Sequence, residues 1–186
     1  MKTTGRIVLC VMIIAQTIKS QNNNHKIYLE GGICGGAQQN NAVSGVAGAV
    51  GFFVNKNSSV DIRVREVYNF SNRNIVGPIT FNYRYNFNFG LFAGGGFAHH
   101  HEVGERTYTT HAGEAIMGSH PGIFHRSGLS LEAGYNFKPF AKKGFFSGIY
   151  PAANICFTKM LNDGGADPLI TAGIGLKIGI KKFPEK

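Results

Sequence analysis

The fold is decided by one ten-residue stretch, ITFNYRYNFN at residues 79–88. Apolar and polar side chains alternate at every position in it, which is the period of a β-strand and not of a helix. The same alternation recurs at 60–65, 129–137 and 174–180, and weaker glycine-rich segments fill the gaps. The pattern predicts eight strands and needs no helix. The predicted strands are 26–37, 45–54, 58–69, 76–87, 88–99, 127–138, 145–159 and 169–181.

Composition narrows the class of protein. The chain has 186 residues, which suits one domain, and only 16% of them are charged, against about 25% in an ordinary soluble domain. Its 26 glycines follow no G-X-Y period, which excludes collagen, and a hydrophobic share of 43% excludes a disordered chain. Three cysteines are too few for a disulfide scaffold. A glycine- and aromatic-rich β protein remains.

The first twenty residues, MKTTGRIVLCVMIIAQTIKS, have the order of a secretory signal peptide. Lys2 and Arg6 precede an unbroken apolar run, and small or polar residues follow it. We therefore expect a signal peptide at 1–20, cleaved after Ser20 or Thr17, and one mature domain at 21–186. Its removal lowers the net charge from +9 to +6. The mature part has no 18-residue apolar stretch, so the sequence predicts no transmembrane helix.

The two faces of the predicted strands differ in side-chain size. One face carries large Phe, Tyr, Ile, Leu and Val side chains, which are too bulky to fill an eight-stranded interior together. The other carries glycines and a few long charged groups of both signs, as a closed lumen requires, because buried charges must be paired. The sequence thus predicts an apolar outer face and a polar lumen network. Its predicted members are Glu30, Asp61, Arg63, Arg65, Arg84, Glu132 and Lys177.

The connections between predicted strands differ in length. Those after strands two, four and six are short, and aromatic side chains gather near that end. Longer connections are predicted after strands one, three, five and seven. They are 38–44, 70–75, 100–126 and 160–168. Short turns at one end and long loops at the other are typical of outer-membrane barrels.

At this point the chain resembles the small eight-stranded outer-membrane barrels of the OmpA/OmpX type over about residues 26–181. The resemblance implies an all-β, antiparallel, up-and-down transmembrane barrel in a bacterial outer membrane. It implies contact with outer-membrane lipid and with the barrel-insertion machinery, and a monomer. One departure is that Phe183 lies three residues before the end, whereas the family often ends its last strand on a C-terminal aromatic.

The function expected from this resemblance is structural or surface-interacting. An extracellular ligand would be met by the loop at 100–126. A filled eight-stranded lumen leaves no wide channel, although a narrow pore stays open as an alternative. No enzyme activity, catalytic residue or obligatory cofactor is expected. The basic residues form no stripe, so nucleic acid is not expected as a partner.

Histidines are concentrated in and beside the predicted third loop. Imidazole nitrogens bind Zn, Cu or Ni, and a loop could bring several together, although the spacing fits no established metal signature. A transition-metal site and a plain polar surface loop are both open. The candidate ligands are His99, His100, His101, His111, His120 and His125.

An H-x-S pair, His125 and Ser127, leaves one enzymatic alternative open. Both residues share the predicted lipid-facing parity, and the outer-membrane lipid A deacylases similarly carry a His base and a Ser nucleophile on their lipid face. The third group of that site is a carboxylate, but the nearest acid, Glu132, has lumen parity. The match therefore stops at two residues, and a lipid A acyl hydrolase is only an alternative.

The two cysteines of the mature part, Cys34 and Cys156, are predicted to be free thiols. They fall on strands one and seven, and strand eight lies between those two in a closed barrel. Two strand spacings are about 9–10 Å, whereas a disulfide needs Cα atoms within about 7 Å.

Overall fold

A computed structural model describes residues 27–110, 121–137, 149–161 and 168–179. The predicted signal peptide, His111 and His120 lie outside the described residues. Within these ranges no helix is long and apolar enough to cross a membrane. The described elements are β1 (Ile27–Gln38), β2 (Asn41–Phe53), β3 (Ser58–Asn69), β4 (Asn74–Asn86), β5 (Leu91–Gly104), α1 (Glu105–Thr110), β6 (Phe124–Asn136), β7 (Ile149–Met160) and β8 (Leu169–Gly179).

The eight strands form a closed antiparallel barrel in chain order, as the alternation predicts. The pairing register fixes its shape, because a circuit through paired residues returns to β1 ten residues from where it started. A stagger of this size with eight strands tilts them by about 40° from the barrel axis. The circuit runs Tyr28, Gly51, Asp61, Asn82, Gly96, Ser130, Thr158, Leu169, Gln38.

The barrel closes along a seam between β1 and β8, which pair from Tyr28↔Gly179 to Gln38↔Leu169. Glycine is needed where the two backbones approach most closely. A Cβ on Gly32 would lie 2.2 Å from the Ile174 carbonyl oxygen, and one on Gly36 would lie 1.9 Å from that of Ile170. Neither position can carry a side chain in this backbone geometry.

Two predicted loops are shorter than expected. The loop predicted at 38–44 is a two-residue turn, in which Gln39 and Asn40 have φ angles of 53° and 65°. Positive φ at both central residues is the conformation that joins twisted antiparallel strands most directly, so pairing continues through glycine-rich residues that look loop-like in sequence. The loop predicted at 70–75 is similarly reduced to residues 70–73.

The predicted difference between the two ends of the barrel is therefore only partly right. Residues 105–123 are the longest connection, and 161–168 is the next at that end. The opposite end has two short turns, at 54–57 and 87–90, and the third short connection predicted there lies outside the described residues. The third loop also contains α1, a helix that the sequence analysis did not predict. The alternation of apolar and polar residues stops at its sequence, ERTYTT.

The base of the third loop is anchored to the rim. Val103 and Ile123 are buried against each other, and Ile75 and Tyr108 pack on them. The Glu105 carboxylate accepts a hydrogen bond from Arg73 Nε at 2.9 Å. This places α1 over the outer ends of β4 and β5.

The distribution of side chains across the wall is inverted relative to a water-soluble protein. Phe97 and Ile174 are 72% and 65% exposed on the outer face, whereas Arg84 and Lys177 are fully buried inside. An apolar surface that continues around the whole barrel is far larger than the patches that soluble monomers expose. The predicted assignment of the two faces is confirmed by this burial.

Candidate functional sites in the lumen and at the outer rim

The lumen is filled by a network of buried ion pairs built on alternate positions of the strands. Arg63 on β3 donates two parallel hydrogen bonds to Glu30 on β1, from Nη1 at 2.8 Å and from Nη2 at 2.7 Å. Asn154 on β7 donates a further bond to Glu30 Oε1 at 3.2 Å. The two-bond Arg–carboxylate geometry fixes both planes, and through Glu30 these contacts join β1, β3 and β7.

Glu132 on β6 lies at the centre of the network. Its Oε1 is 2.6 Å from Arg84 Nη2, 3.5 Å from Arg63 Nε and 3.8 Å from Arg65 Nη2. Three guanidinium groups therefore share one carboxylate that is itself shielded from solvent. Such an arrangement is stable only as a whole, since each buried charge relies on the others for its neutralisation.

Arg84 connects this centre to a second acid. Its Nε lies 2.8 Å from Asp61 Oδ2, and the Tyr28 hydroxyl donates to the same carboxylate oxygen at 2.6 Å. Asn82 donates to the other oxygen, Oδ1, at 3.2 Å. One face of the Arg84 guanidinium is also covered, since its Cζ lies 4.6 Å from the centre of the Phe92 ring.

Lys177 departs from the expectation that every lumen base pairs with an acid. Its Nζ has no hydrogen-bond partner among the described residues and forms none of their ion pairs. Instead it lies 3.7 Å from the centroid of the Tyr28 ring, with Phe53 and Phe92 at 5.9 and 5.8 Å. Glu30, Asp61 and Glu132 are already shared by Arg63, Arg65 and Arg84. Three aromatic rings, and not a carboxylate, therefore surround the amine of Lys177.

Between these charges and the end of the barrel that carries the third loop, the lumen holds a layer of apolar side chains. Val43, Val67, Val76 and Leu169 pack there with Cys34, all buried. Cys34 and Cys156 are free thiols, as predicted from their separation by β8. The described part of the interior is thus occupied by aromatic, charged and apolar groups in turn.

Three histidines come together on the outer face at the end of the barrel that carries the third loop. His99 and His101 lie on β5, and His125 lies on β6 directly opposite His101. The ring centroids are 4.9 Å apart for His99–His101 and for His101–His125, and 5.5 Å apart for His99–His125. One nitrogen from each ring lies within 4.8 Å of the others. We call these residues the histidine triad.

The histidine triad differs from the six-residue cluster that the sequence suggests. His99, His100, His101 and His125 are not in a loop, because the β5–β6 ladder continues through all of them. His100 has the opposite parity, is buried in the lumen and contacts Thr158 Oγ1 at 3.2 Å. The other two candidate ligands, His111 and His120, lie outside the described residues. Only the register of β5 against β6 reveals which imidazoles meet.

Ser127 contacts a different histidine from the one its sequence spacing suggests. Its Oγ lies 3.4 Å from His99 Nδ1, across the strand pair, and His99 Nε2 lies 3.3 Å from His125 Nδ1. The second neighbour of His99 is therefore an imidazole and not a carboxylate. Sequence reasoning missed this contact because it depends on the pair His99↔Ser127.

A shallow groove of about 50 Å³ runs along the outer face beside the triad. It lies where Gly77 leaves space between β3 and β5 and where Pro78 supplies no N–H to the β3–β4 ladder. Tyr108 of α1 covers one end, and its hydroxyl bonds to Glu66, which raises the pKa of Tyr108 to about 12. The groove is lined by Val64, Arg65, Glu66, Ile75, Gly77, Ile79, His101, Val103 and Tyr108.

A closed eight-stranded barrel with an apolar exterior and a charged, filled interior is the fold of the small outer-membrane barrels. Solved structures show the same fold. The N-terminal β-barrel domain of Pseudomonas aeruginosa OprF is 16% identical, covers 86% of this chain and 100% of its own, and has a TM-score of 0.54. Neisserial surface protein A is 11% identical, with 83% and 97% covered and a TM-score of 0.55.

OprG from Pseudomonas aeruginosa is 9% identical, with 88% of this chain and 100% of its own covered and a TM-score of 0.56. At such identities the likeness concerns the fold alone. No protein-family model matches the chain, and no curated protein matches it either.

Proposed function

We propose that the protein is an integral outer-membrane barrel that acts through its exposed loops and not as a channel. The observation that carries this proposal is the filled lumen. Arg63 and Arg84 both lie within 3.5 Å of Glu132 across it, and these three side chains are at most 1% exposed. A water-filled path would have to separate ion pairs whose disruption is costly.

The third loop is the surface best placed to meet a partner. It is the longest connection, and its base is held by α1, by the Val103–Ile123 contact and by the Arg73–Glu105 ion pair. Because residues 105–110 and 121–123 at its base are already ordered, a partner that contacts them would cause less loss of entropy there. The turns at 39–40 and 70–73 are too short to compete for such a contact.

Two measurements test this function. In planar bilayers the purified barrel should give no conductance steps, and large, regular steps would contradict the proposal. On intact cells, an epitope inserted at residue 113 should be accessible to antibody, whereas one inserted in the 87–90 turn should not.

A loop variant tests the interaction itself. Replacing residues 111–120 by a short Gly-Ser linker leaves β5, β6, α1 and the packed base of the loop in place. Cells carrying this variant should lose retention on an array of immobilised glycans and proteins that hold wild-type cells. Equal retention of both, with both barrels folded by heat-modifiability on gels, would refute a role for this loop.

A second candidate is an ester hydrolase acting on membrane lipid, favoured by the Ser127–His99–His125 relay. With a proton on Nε2, His99 can donate to His125 Nδ1 and accept the Ser127 hydroxyl proton on Nδ1. The Ser127 oxygen would then attack an acyl ester, releasing the lipid alcohol, and water would cleave the acyl–serine ester. The neighbouring groove, lined by Ile75 and Ile79, offers an apolar surface for an acyl chain.

The hydrolase candidate is tested by mass analysis of lipid A from cells expressing the protein. Loss of one acyl chain with wild type, but not with Ser127→Ala, would establish the activity. Ser130→Ala is the matched control, since Ser130 lies on the same strand but is buried in the lumen. Unchanged lipid A in every strain would remove this candidate and leave the interaction role standing.

A further inference from the structure

We infer that the histidine triad on the outer face binds a divalent transition-metal ion of the Zn²⁺ type. His99, His101 and His125 come together from two paired strands, and one ring nitrogen of each lies within 4.8 Å of those of the other two. Neutral imidazole is among the preferred ligands of this class of ion. All three ligand atoms of the triad are nitrogens, whereas Ca²⁺ and Mg²⁺ bind oxygen ligands, so those ions are disfavoured.

The spacing of the nitrogens favours tetrahedral coordination. With metal–nitrogen bonds of about 2.0–2.1 Å, two ligands of a tetrahedral ion lie about 3.3–3.4 Å apart, whereas adjacent ligands of a square-planar ion lie about 2.9 Å apart. His99 Nε2 and His125 Nδ1 are 3.3 Å apart. The third nitrogen, within 4.8 Å of both, needs only a small side-chain rotation to complete the set.

The backbone holds the ligands in place before any ion arrives. His101 and His125 are directly paired residues, and His99 is the diagonal neighbour of His125 on the same face. Because the β5–β6 ladder fixes these Cα positions, binding costs little more than the freedom of three rings.

The position of the triad indicates what the fourth ligand can be. Phe97 and Leu129 are exposed apolar side chains immediately below it on the same two strands, so the triad lies at the upper edge of the apolar band. Three protein ligands leave one coordination position open, as in sites that hold water or an exchangeable oxygen. At this height the open position faces the level of lipid headgroups, where anionic oxygens are abundant.

The metal site and the Ser127 relay share His99 and His125, but single variants separate them. His101 contributes to the triad and not to the relay, whereas Ser127 contributes to the relay and not to the triad. His101→Ala should therefore weaken metal binding and spare the relay, whereas Ser127→Ala should disrupt the relay and leave metal binding unchanged.

The test is titration of the chelator-treated, detergent-solubilised barrel with Zn²⁺ in a calorimeter. Wild type and Ser127→Ala should each bind one ion, and His101→Ala and His99→Ala should each weaken binding at least tenfold. Co²⁺ in place of Zn²⁺ should give the intense visible absorption of a tetrahedral site in wild type and in Ser127→Ala, but not in His101→Ala. These results concern the triad alone, so the interaction role of the third loop could fail or hold independently.

A double variant, His111→Ala with His120→Ala, serves as the matched control. It removes the two histidines of the third loop that lie between β5 and β6 and leaves the triad intact, so it should bind Zn²⁺ like wild type. The inference is overturned if this variant loses binding, if His101→Ala keeps wild-type affinity, or if wild type shows no binding at millimolar Zn²⁺.

Discussion

The lumen and the outer face of this barrel are built from the same strands but obey different rules. Inside, most charged groups have charged partners on other strands, as with Arg63 and Glu30 at 2.7 Å. Outside, large side chains such as Phe97 and Ile174 stand exposed on the wall. Substitutions in the lumen should therefore lower stability by removing the partners of buried charges. The effect of substitutions on the outer face should depend on how deep the residue lies in the lipid.

The largest effect is expected where three cations share one acid. Glu132→Gln keeps the shape of the side chain but leaves Arg63, Arg65 and Arg84 with an excess of buried positive charge. The free energy of unfolding should fall by about 3–5 kcal/mol, as when one partner of a buried ion pair is removed. Urea unfolding in lipid vesicles measures it.

The matched control for this change is an ion pair at the surface. Glu105→Gln breaks the contact to Arg73, whose side chain is 74% exposed, so it should cost less than about 1 kcal/mol. Equal losses for the two variants would mean that the lumen charges are solvated and not mutually paired.

The next effect tests depth on the outer face. Leu131, near the middle of β6, is 62% exposed, and Leu131→Arg should lower the free energy of unfolding by about 2–4 kcal/mol if it faces the centre of the bilayer. Leu161, just beyond β7 at the rim, is 63% exposed, and Leu161→Arg should cost about 0–1 kcal/mol. The same unfolding assay serves both, and similar costs would show that the outer face is not in lipid.

Lys177→Met, also in the lumen, should change the free energy of unfolding less than Glu132→Gln and in the opposite direction. The Lys177 amine has no hydrogen bond among the described residues, so Lys177→Met removes a buried charge without orphaning a partner. The free energy of unfolding should stay unchanged or rise by about 1 kcal/mol, since apolar replacements of buried charges are often neutral or stabilising. A loss as large as that of Glu132→Gln would show that Lys177 neutralises the acids.

The smallest effect lies at the rim, on Tyr108. The pKa of this group is raised from 10.0 to about 12, first by its hydrogen bond to Glu66. Its contribution to stability is complete below the ordinary pKa and is lost as the pH rises through about 12. Glu66→Ala should return the pKa of Tyr108 towards its ordinary value, as followed by NMR of labelled tyrosine, and an unchanged titration would refute the contact.

The strands and their two faces could be predicted because alternation and side-chain size are local signals. The stretch at 58–69 is predicted with the bounds that β3 has, and the lumen parity of Arg63 follows directly from its alternation. The first turn could not be placed, because Asn41 and Ser44 look like loop residues although β2 begins at Asn41.

The outer-rim site could be predicted only in part. Sequence shows many histidines near the third loop, but nothing local fixes the register of β5 against β6 across so long a connection. That register brings His101 opposite His125 and Ser127 opposite His99, and it sends His100 into the lumen. The partner of Lys177 is equally non-local, since Tyr28, Phe53 and Phe92 come from three other strands.

The β1–β8 seam has a consequence for how fast the barrel forms. Seven of its eight strand pairs join neighbours in sequence, but the seam joins Tyr28 to Gly179, nearly the whole length of the domain. Pairing between such distant segments must overcome the largest loop-closure entropy, so seam formation should be the slow, final step. Gly36→Ala, which places a methyl group against the Ile170 carbonyl, should therefore slow closure while the other hairpins form at their normal rate.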